Sequence, residues 1–529
     1  VTETVDAVVV GAGQNGLVAA NVLADAGWSV LVLEAEPEPG GAVRSAEITA
    51  PGFLSDLCSA FYPLGYASPV LRELGLDSYG LVWRHAPLVL AHVRQDDRCV
   101  ALSRDVDETA ASVAGFDARD AGAWRDAFDQ WQRVRHDLLE SVLRPFPPVR
   151  SATKLVRRIG VADTLRLARM VTLPVRRLGE ELFDGEGARL LLAGNALHTD
   201  LGPDNAGSGV FGWLLAMAGQ DVGFPVPEGG AERITTALVR RLADRGGRVE
   251  CNRAVRNVLV AGGRAMGVRD EHGELVRARR AVLADVPAPA LYRELVGEEH
   301  LPSRFVADLD RFQWDNATIK VDWALSGKIP WTAEEARRAG VVHLDADLDG
   351  LTAFGAALTC KQVPERPFLL LGQMTTADPS RSPEGTESVW AYTHVPRGDR
   401  WDKGKLDEYA DRMQEVVEQR APGFTSLVQA RCVQGPEDLE AHNPSLAEGA
   451  INAGTAAIHQ QFVFRPVPGL ARADTPVDRL YLASASAHPG GAVHGACGAN
   501  AARAALARNG LAGGLYGATI RTAQRAIYS

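Results

Sequence analysis

The sequence predicts an α/β fold in which a parallel-sheet domain is assembled from three separated stretches of chain and brackets an inserted α+β domain. Three observations predict it: a strand, glycine turn, helix, strand and acid over residues 6–44; a helix and strand meander beginning near Pro225; and a strand, glycine-rich turn and helix near the C-terminal end. In the first, DAVVVGAGQNGLVAANVLADAGWSVLVLEAEPEPGGAVR, the apolar run Ala7 to Val10 reads as a buried parallel strand. Gly11, Gly13 and Gly16 then follow in G-x-G-x-x-G spacing, for a tight turn, close approach of backbone to a pyrophosphate, and packing of helix on strand. Gln14 and Asn15 open a helix that runs to about Ala26 and stops at Gly27. A second strand, Ser29 to Leu33, ends at Glu34 and Ala35. A carboxylate there accepts from a ribose hydroxyl and repels a 2′-phosphate.

The second stretch, PVPEGGAERITTALVRRLADRGGRVECNRAVRNVLVAGGRAMGVRDEHGELVRARRAVLAD, reads as a Gly-Gly turn, an amphipathic helix from about Ala231 to Ala243, and a meander. Its strands are Ala254 to Val260, Ala265 to Arg269 and Glu274 to Ala278, with Arg280 to Leu283 as a further apolar strand. In the third, Asp478 to Leu482 is a strand, SASAHPGGAVHGACG a glycine-rich turn, and Ala499 to Ala507 a helix. The boundaries that follow are 1–80, 220–290 and 455–529 for the discontinuous dinucleotide-binding domain. Residues 81–219 form a mostly helical insertion and 291–454 a mixed α+β one, together the substrate domain. In the helical insertion AGAWRDAFDQWQRVRHDLLESVL and GVADTLRLARMV repeat apolar residues at helical spacing, whereas ATIKVDWAL and PFLLLGQM in the other are strand-like.

Composition bounds the function. The 529 residues are 46% hydrophobic and 23% charged, enough for two ordinary globular domains. A net charge of −10 argues against nucleic acid as a partner, since phosphate neutralisation needs a basic surface. The six cysteines, Cys58, Cys99, Cys251, Cys360, Cys432 and Cys497, show no C-x-x-C spacing and read as buried free thiols of a reducing compartment, with no metal site. No stretch reads as a signal peptide and no apolar run reaches the ~20 residues that span a bilayer, so a cytoplasmic location is expected.

The segment after Glu34 separates flavin from nicotinamide. Glu36 to Arg44, EPEPGGAVR, resembles the second half of the FAD signature of glutathione-reductase-like flavoproteins. Gly40, Gly41 and Ala42 would pass close to the ribityl-pyrophosphate with Arg44 nearby; the alternative is a surface turn with a solvated arginine. The N-terminal motif, the central FPVPEGG and the C-terminal FRPVPGL…LYLASASAHPGGAVHGACGANAAR together resemble the phytoene-desaturase-related flavoproteins, which include carotenoid desaturases, carotenoid isomerases and retinol saturase, and among them the phytoene-dehydrogenase-like branch. NALHTDLGPDNAGS and GAINAGTAAIHQQF support that match. The resemblance implies a Rossmann-type FAD domain, non-covalent FAD, an apolar substrate that is unsaturated or alicyclic, and desaturation, dehydrogenation or flavin-assisted isomerisation. It also places a backbone contact to adenine at Val255, where plain strand packing is the competing reading. With no second nicotinamide motif, electrons would pass to oxygen or a quinone.

At the C-terminal turn, Gly490 and Gly491 would admit a planar ring, and amides of Ala492 and Val493 with the following helix end would stabilise negative charge on a reduced flavin. The acid common after this last strand is replaced by Ser484, Ala485 and Ser486, so backbone and Ser486 are expected to substitute. His488 and His494 flank the glycines and are candidate bases, against ordinary turn and backbone roles. His198 and His459 in the insertions are candidates against core histidines. Lys320 is one because the wider amine-oxidase superfamily places a lysine near flavin N5 through water; a solvated lysine on a strand edge is the alternative. An aromatic cage for an amine has no evident sequence signature, and Phe462, Phe464, Tyr481 and Trp323 have no assigned place.

The stretch Arg144 to Arg177 concentrates basic residues among apolar ones: it could lie on anionic lipid, form a solvated face, or make a homodimer contact. Two rival functions stand beside the desaturase reading: an FAD-dependent amine or amino-acid oxidase, and a flavin-containing binding or chaperone module.

Overall fold

The computed structural model describes residues 3–344 and 346–529. Its first sheet follows from the continuous apolar runs of the sequence. Glu3–Val10 pairs in parallel with Val30–Leu33 on one side and with Leu275–Ala284 on the other. Successive side chains alternate faces, so Ala7 and Val9 join one hydrophobic layer and Val8 and Val10 the other. The first layer is closed by the helices Gln14–Asp25, Glu232–Asp244 and Ala496–Asn509, the second by the meander and by the C-terminal helix Gly513–Tyr528, which the sequence reading missed.

The meander differs in one instructive respect. Glu274 to Ala278 and Arg280 to Leu283 read as separate strands because Arg279 and Arg280 interrupt the apolar pattern; the structure runs them as one strand, Leu275–Ala284. Its start pairs antiparallel with Arg264–Asp270, and its end pairs in parallel with Leu480–Leu482. The interrupting arginines reach out to Asp6, at 3.0 and 3.3 Å. One strand thereby joins the first, middle and last stretches of the chain.

The second sheet has the order Val428–Gln434, Ala317–Leu325, Glu387–Val395, Leu369–Gln373, Ala339–Leu344, Leu88–Val93, Cys99–Leu102. Its last two strands come from the insertion read as mostly helical, so the two insertions share a sheet. One face packs Ile319, Val321 and Trp323 with Tyr409 and Met413 of the helix Lys403–Arg420. On the other, Leu90 and Val341 meet the helices Asp120–Leu143, Glu186–Ala196 and Ser208–Val222.

A buried ionic node fastens this sheet to the first. Arg381 is fully buried and bridges Asp56, at 2.9 Å, and Asp378, at 3.0 Å. Burial opposes its charge, but the two carboxylates outweigh that and hold its pKa above the ordinary arginine value. Asp56 also accepts from Ser45 Oγ and the Ala231 amide, and Asp378 from the Gly229 amide.

The cysteines are free, but Cys497 alone among the described six is fully buried and Cys360 is exposed, so burial is not their common property.

Removing the Arg381 side chain strands two buried carboxylates. Arg381→Met is expected to cost about 3–5 kcal/mol in urea unfolding, with part recovered when Asp56→Asn and Asp378→Asn are added. A single variant within about 1 kcal/mol of wild type would contradict the node.

Candidate functional site

The glycine turn is built by exclusion. Gly11 has φ +90°, and a Cβ there would lie 2.8 Å from the Asp285 carbonyl oxygen; one at Gly13 would lie 2.6 Å from Asp285 Oδ2, and one at Gly16 would overlap the Gly11 carbonyl. Gly16 thus packs behind the turn, its amide donating to Asp285 Oδ2 at 2.7 Å. Glu34, 8% exposed, accepts from the Ala12 amide at 2.6 Å and the Glu36 amide at 2.9 Å. The second glycine pair closes over the first: the Gly40 amide donates to the Ala12 carbonyl at 2.9 Å, and a Cβ on Gly41 would lie 3.3 Å from Gly13 Cα. Arg44 is held over this pair, donating to the Gly41 carbonyl at 3.2 Å and the His442 carbonyl at 2.9 Å.

These turns wall a cavity of about 640 Å³. Of the residues singled out from sequence, Gly11, Gly13, Gln14, Asn15, Glu34 and Ala35 line it from the first turn and strand end. Gly41, Ala42 and Arg44 line it from the second turn, Val255 from the meander, and Gly491, Ala492 and Val493 from the C-terminal turn. Ser486 does not: its Oγ accepts from the Ala288 amide at 3.0 Å and donates to the Ala453 carbonyl at 2.8 Å, so it pins chain behind the wall. Ser484 and Ala485 reach the cavity in its place. Gly490 also sits behind the wall, φ +113°, its carbonyl accepting from Cys497 Sγ. Ala492 holds φ +87°, a conformation costly for a residue with a side chain.

A dinucleotide fits the polar atoms present. Gln14 Oε1, Asn15 Oδ1 and Asn452 Nδ2 are buried beside the cavity without partners in the protein, the condition a ligand bearing hydroxyls and a polar ring edge relieves. Two residues that sequence reasoning missed hold this wall. Arg465, 2% exposed, donates to the carbonyls of Ala485, Thr455 and Asn452; Asp315, fully buried, accepts from the amides of Ile451, Asn452 and Gly454. Asp285, also missed, lines the cavity under the glycine turn, and burial raises its carboxyl to about 7 against the opposing Gly16 amide.

The histidine candidates separate. His459 is exposed and meets Gln313 Oε1 at 3.0 Å, away from the cavity wall. His488 packs behind the wall with Nε2 3.1 Å from the Arg144 carbonyl. His494 lines the cavity, but its Nδ1 accepts from the Ala496 amide at 3.1 Å and burial lowers its pKa to about 4, which suits a neutral ring. His198 lines the cavity with Nε2 2.9 Å from His343 Nε2.

Lys320 is not a solvated edge lysine. Ala317–Leu325 is paired on both sides, and Lys320, 4% exposed, donates to Asp322 and lines the cavity. Burial raises the Asp322 carboxyl, against the pull of the Lys320 charge. The register lays the floor of the site: Lys320 stands opposite Tyr392 and Asp322 opposite Trp390. Trp390 and Tyr392 line the cavity, stacked at 5.9 Å and 25°, with the Phe61 ring edge-on to Trp390 at 6.1 Å. Gly372, paired with Trp390, makes this possible, because a Cβ there would overlap the indole. Phe462, Phe464, Tyr481 and Trp323 lie elsewhere; Trp323 packs on Phe424 across the sheet. The available signal was alternation: ESVWAYTHV and ATIKVDWAL each carry polar or aromatic side chains at every second position of a buried strand.

The basic stretch falls mainly on the helix Val149–Met170, where acids answer it: Arg158 meets Asp137, Arg166 Asp163, and Arg169 Glu181. That pairing suits a solvated face. Among the described residues no helix is long and apolar enough to cross a membrane.

Comparison with known proteins agrees with this geometry. Residues 16–506 match the family described as flavin containing amine oxidoreductase. The chain is 29% identical to pyridine nucleotide-disulfide oxidoreductase domain-containing protein 2 of Rattus norvegicus, over 94% of this chain and 92% of the relative. It is 25% identical to the zeta-carotene-forming phytoene desaturase of Myxococcus xanthus, over 91% and 90%. Cyclohexylamine oxidase from Brevibacterium oxydans IH-35A shares the fold, with TM-score 0.56 and 18% identity over 95% of this chain and 98% of that one.

Two outcomes follow for variants. Gly372→Ala is expected to leave bound flavin, read from visible absorbance, unchanged while shifting the order of preferred substrates, because the methyl displaces only Trp390; loss of flavin would contradict this division of the cavity. Asp285 is protonated in the folded apoprotein up to about pH 7 but ionises near 4 when unfolded, so its own contribution to apoprotein stability falls as pH rises from about 4 to 7, opposite in sign to that of buried neutral histidines such as His494. The stability difference between wild type and Asp285→Asn is expected to fall by about 2–4 kcal/mol over this range in chemical denaturation; a difference that does not change with pH would refute it.

Proposed function

Since the chain belongs to the flavin containing amine oxidoreductase family, and is an FAD-dependent oxidoreductase acting on a small organic substrate with FAD held non-covalently, we propose that it oxidises a hydrophobic amine. The observation that carries this reading is the placement of buried Lys320 directly opposite Tyr392, beside the Trp390–Tyr392 stack, in the cavity that the glycine turns also wall. The flavin supplies a hydride acceptor when bound. The chain's own groups do the rest. Phe211, Leu214, Leu215, Phe224 and Val341 line the cavity with apolar surface, which excludes water and favours the uncharged amine. The Lys320–Asp322 pair is closed on itself and offers no unpaired carboxylate to a cation. In the uncharged amine the nitrogen lone pair is free to become the C=N bond as the neighbouring C–H bond breaks with its electron pair. Arg465 and Asp315 hold the loop against which the ring would lie, and the backbone N–H groups of Ala492 and Val493 would stabilise negative charge on it.

A second reading, desaturation of an apolar alicyclic or polyene substrate, is favoured by the same apolar wall and by the likeness to the Myxococcus xanthus enzyme. The two differ in an anaerobic absorbance screen of the holoenzyme with cyclohexylamine, benzylamine, limonene and a long polyene. The amine reading expects flavin bleaching by the amines, peroxide on admitting air, and kcat/KM rising with pH as the free amine fraction grows. Bleaching by the hydrocarbons alone overturns it in favour of desaturation.

A further inference from the structure

The helical wall of the cavity carries polar atoms that the reading above leaves unused. Asn195, fully buried near the end of the helix Glu186–Ala196, donates through Nδ2 to the Leu191 carbonyl at 2.7 Å. Its Oδ1 is buried without a partner, and the residue lines the cavity. His198 follows on the same wall, its Nε2 committed to His343.

Behind His198 the strand register fixes a chain of rings. His343 on Ala339–Leu344 stands directly beside His92 on Leu88–Val93, both fully buried, with ring planes at 89°. Their Nδ1 atoms, which have no partners, converge over Gly194, where a side chain would overlap His343 Nδ1 and lie 3.0 Å from His92 Nδ1. His92 Nε2 lies 2.7 Å from the Ala346 carbonyl, which can only accept, so in the neutral ring the proton is on Nε2 and Nδ1 is a lone pair. The contact between His198 Nε2 and His343 Nε2 needs a proton on one nitrogen and a lone pair on the other. With the proton on His198 Nε2, His343 Nε2 accepts and His198 Nδ1 is a lone pair. Burial lowers His198 to about 3 and His92 to about 4 and pulls His343 and the neighbouring His394 down as well, so the rings stay neutral.

We propose that the substrate's amino group is anchored on the helical wall by two acceptors, Asn195 Oδ1 and His198 Nδ1, the latter a lone pair because His198 donates from Nε2 to His343. The assignment rests on the amine reading and deepens it. Two acceptors take the two N–H bonds of a neutral primary amine and leave its lone pair unengaged. With a hydride acceptor bound, the C–H hydrogen would leave with its electron pair as hydride, the nitrogen lone pair would form C=N, and both N–H protons would stay on the resulting iminium, so no protein base need receive a proton. His198 and Asn195 are substrate-binding residues; His343 is a positioning residue.

Nitrogen-15 spectra of histidine-labelled holoenzyme, assigned with His198→Gln, are expected to show His198 protonated at Nε2 alone; protonation at Nδ1 overturns the proposal. Anaerobic titrations read by flavin absorbance then compare cyclohexylamine with N,N-dimethylcyclohexylamine, whose neutral form offers no N–H. Asn195→Leu is expected to weaken the first about tenfold and the second less than about twofold. Equal weakening overturns the anchor while leaving the amine reading standing, whereas a wild-type holoenzyme that binds neither amine overturns both.

Discussion

The buried bridge from Asp56 through Arg381 to Asp378 is the constraint on which the site depends. Three stretches of chain, distant in sequence, end at this node: the segment after the second glycine pair, the Gly229–Gly230 turn that leads into the helix Glu232–Asp244, and the short turn beside the second sheet. Because a buried guanidinium tolerates few geometries in which both carboxylates are met, the node sets the distance between the glycine turns on one sheet and the side chains on the floor of the other. A cavity shared by two sheets needs such a fastening, since neither sheet alone specifies where its partner sits.

Within that frame the two walls obey different physics. The wall made by the glycine turns is largely backbone: positive φ at Gly11, close contact of Gly41 with Gly13, and two orphaned amide side chains at the first helix. The floor and helical wall are side chains chosen by register. Lys320, Tyr392, Trp390, His343 and His92 line up across neighbouring strands because pairing and alternation leave them no other face. The polar groups among them are kept neutral or paired, so the cavity remains apolar in charge while retaining acceptors.

This division explains what the sequence made legible. That the glycine turns, Glu34, Arg44 and Val255 belong at one cavity could be read because their requirements are local, a turn or a strand end within one βαβ unit or meander. Ser486 was misplaced because two serines alternate after the last strand and the polar pattern does not say which faces inward; Ser484 does. Trp390, Tyr392, Asn195 and His343 were illegible because they come together only through pairing of strands and packing of helices far apart in the chain. The single strand Leu275–Ala284 shows the same limit on a smaller scale: its paired arginines broke the apolar pattern, although their charges are met outside the strand by Asp6.

The central claim is that one cavity serves both the flavin and a hydrophobic amine, with the Gly491–Val493 turn on one side and Lys320, Trp390 and Asn195 on the other. A crystal structure of the holoenzyme soaked anaerobically with benzylamine tests it most directly. The account predicts the flavin ring against the C-terminal glycine turn and the amine between that ring and the Asn195–His198 wall. Amine density outside this cavity, or a flavin ring turned away from Lys320 and Trp390, would contradict it.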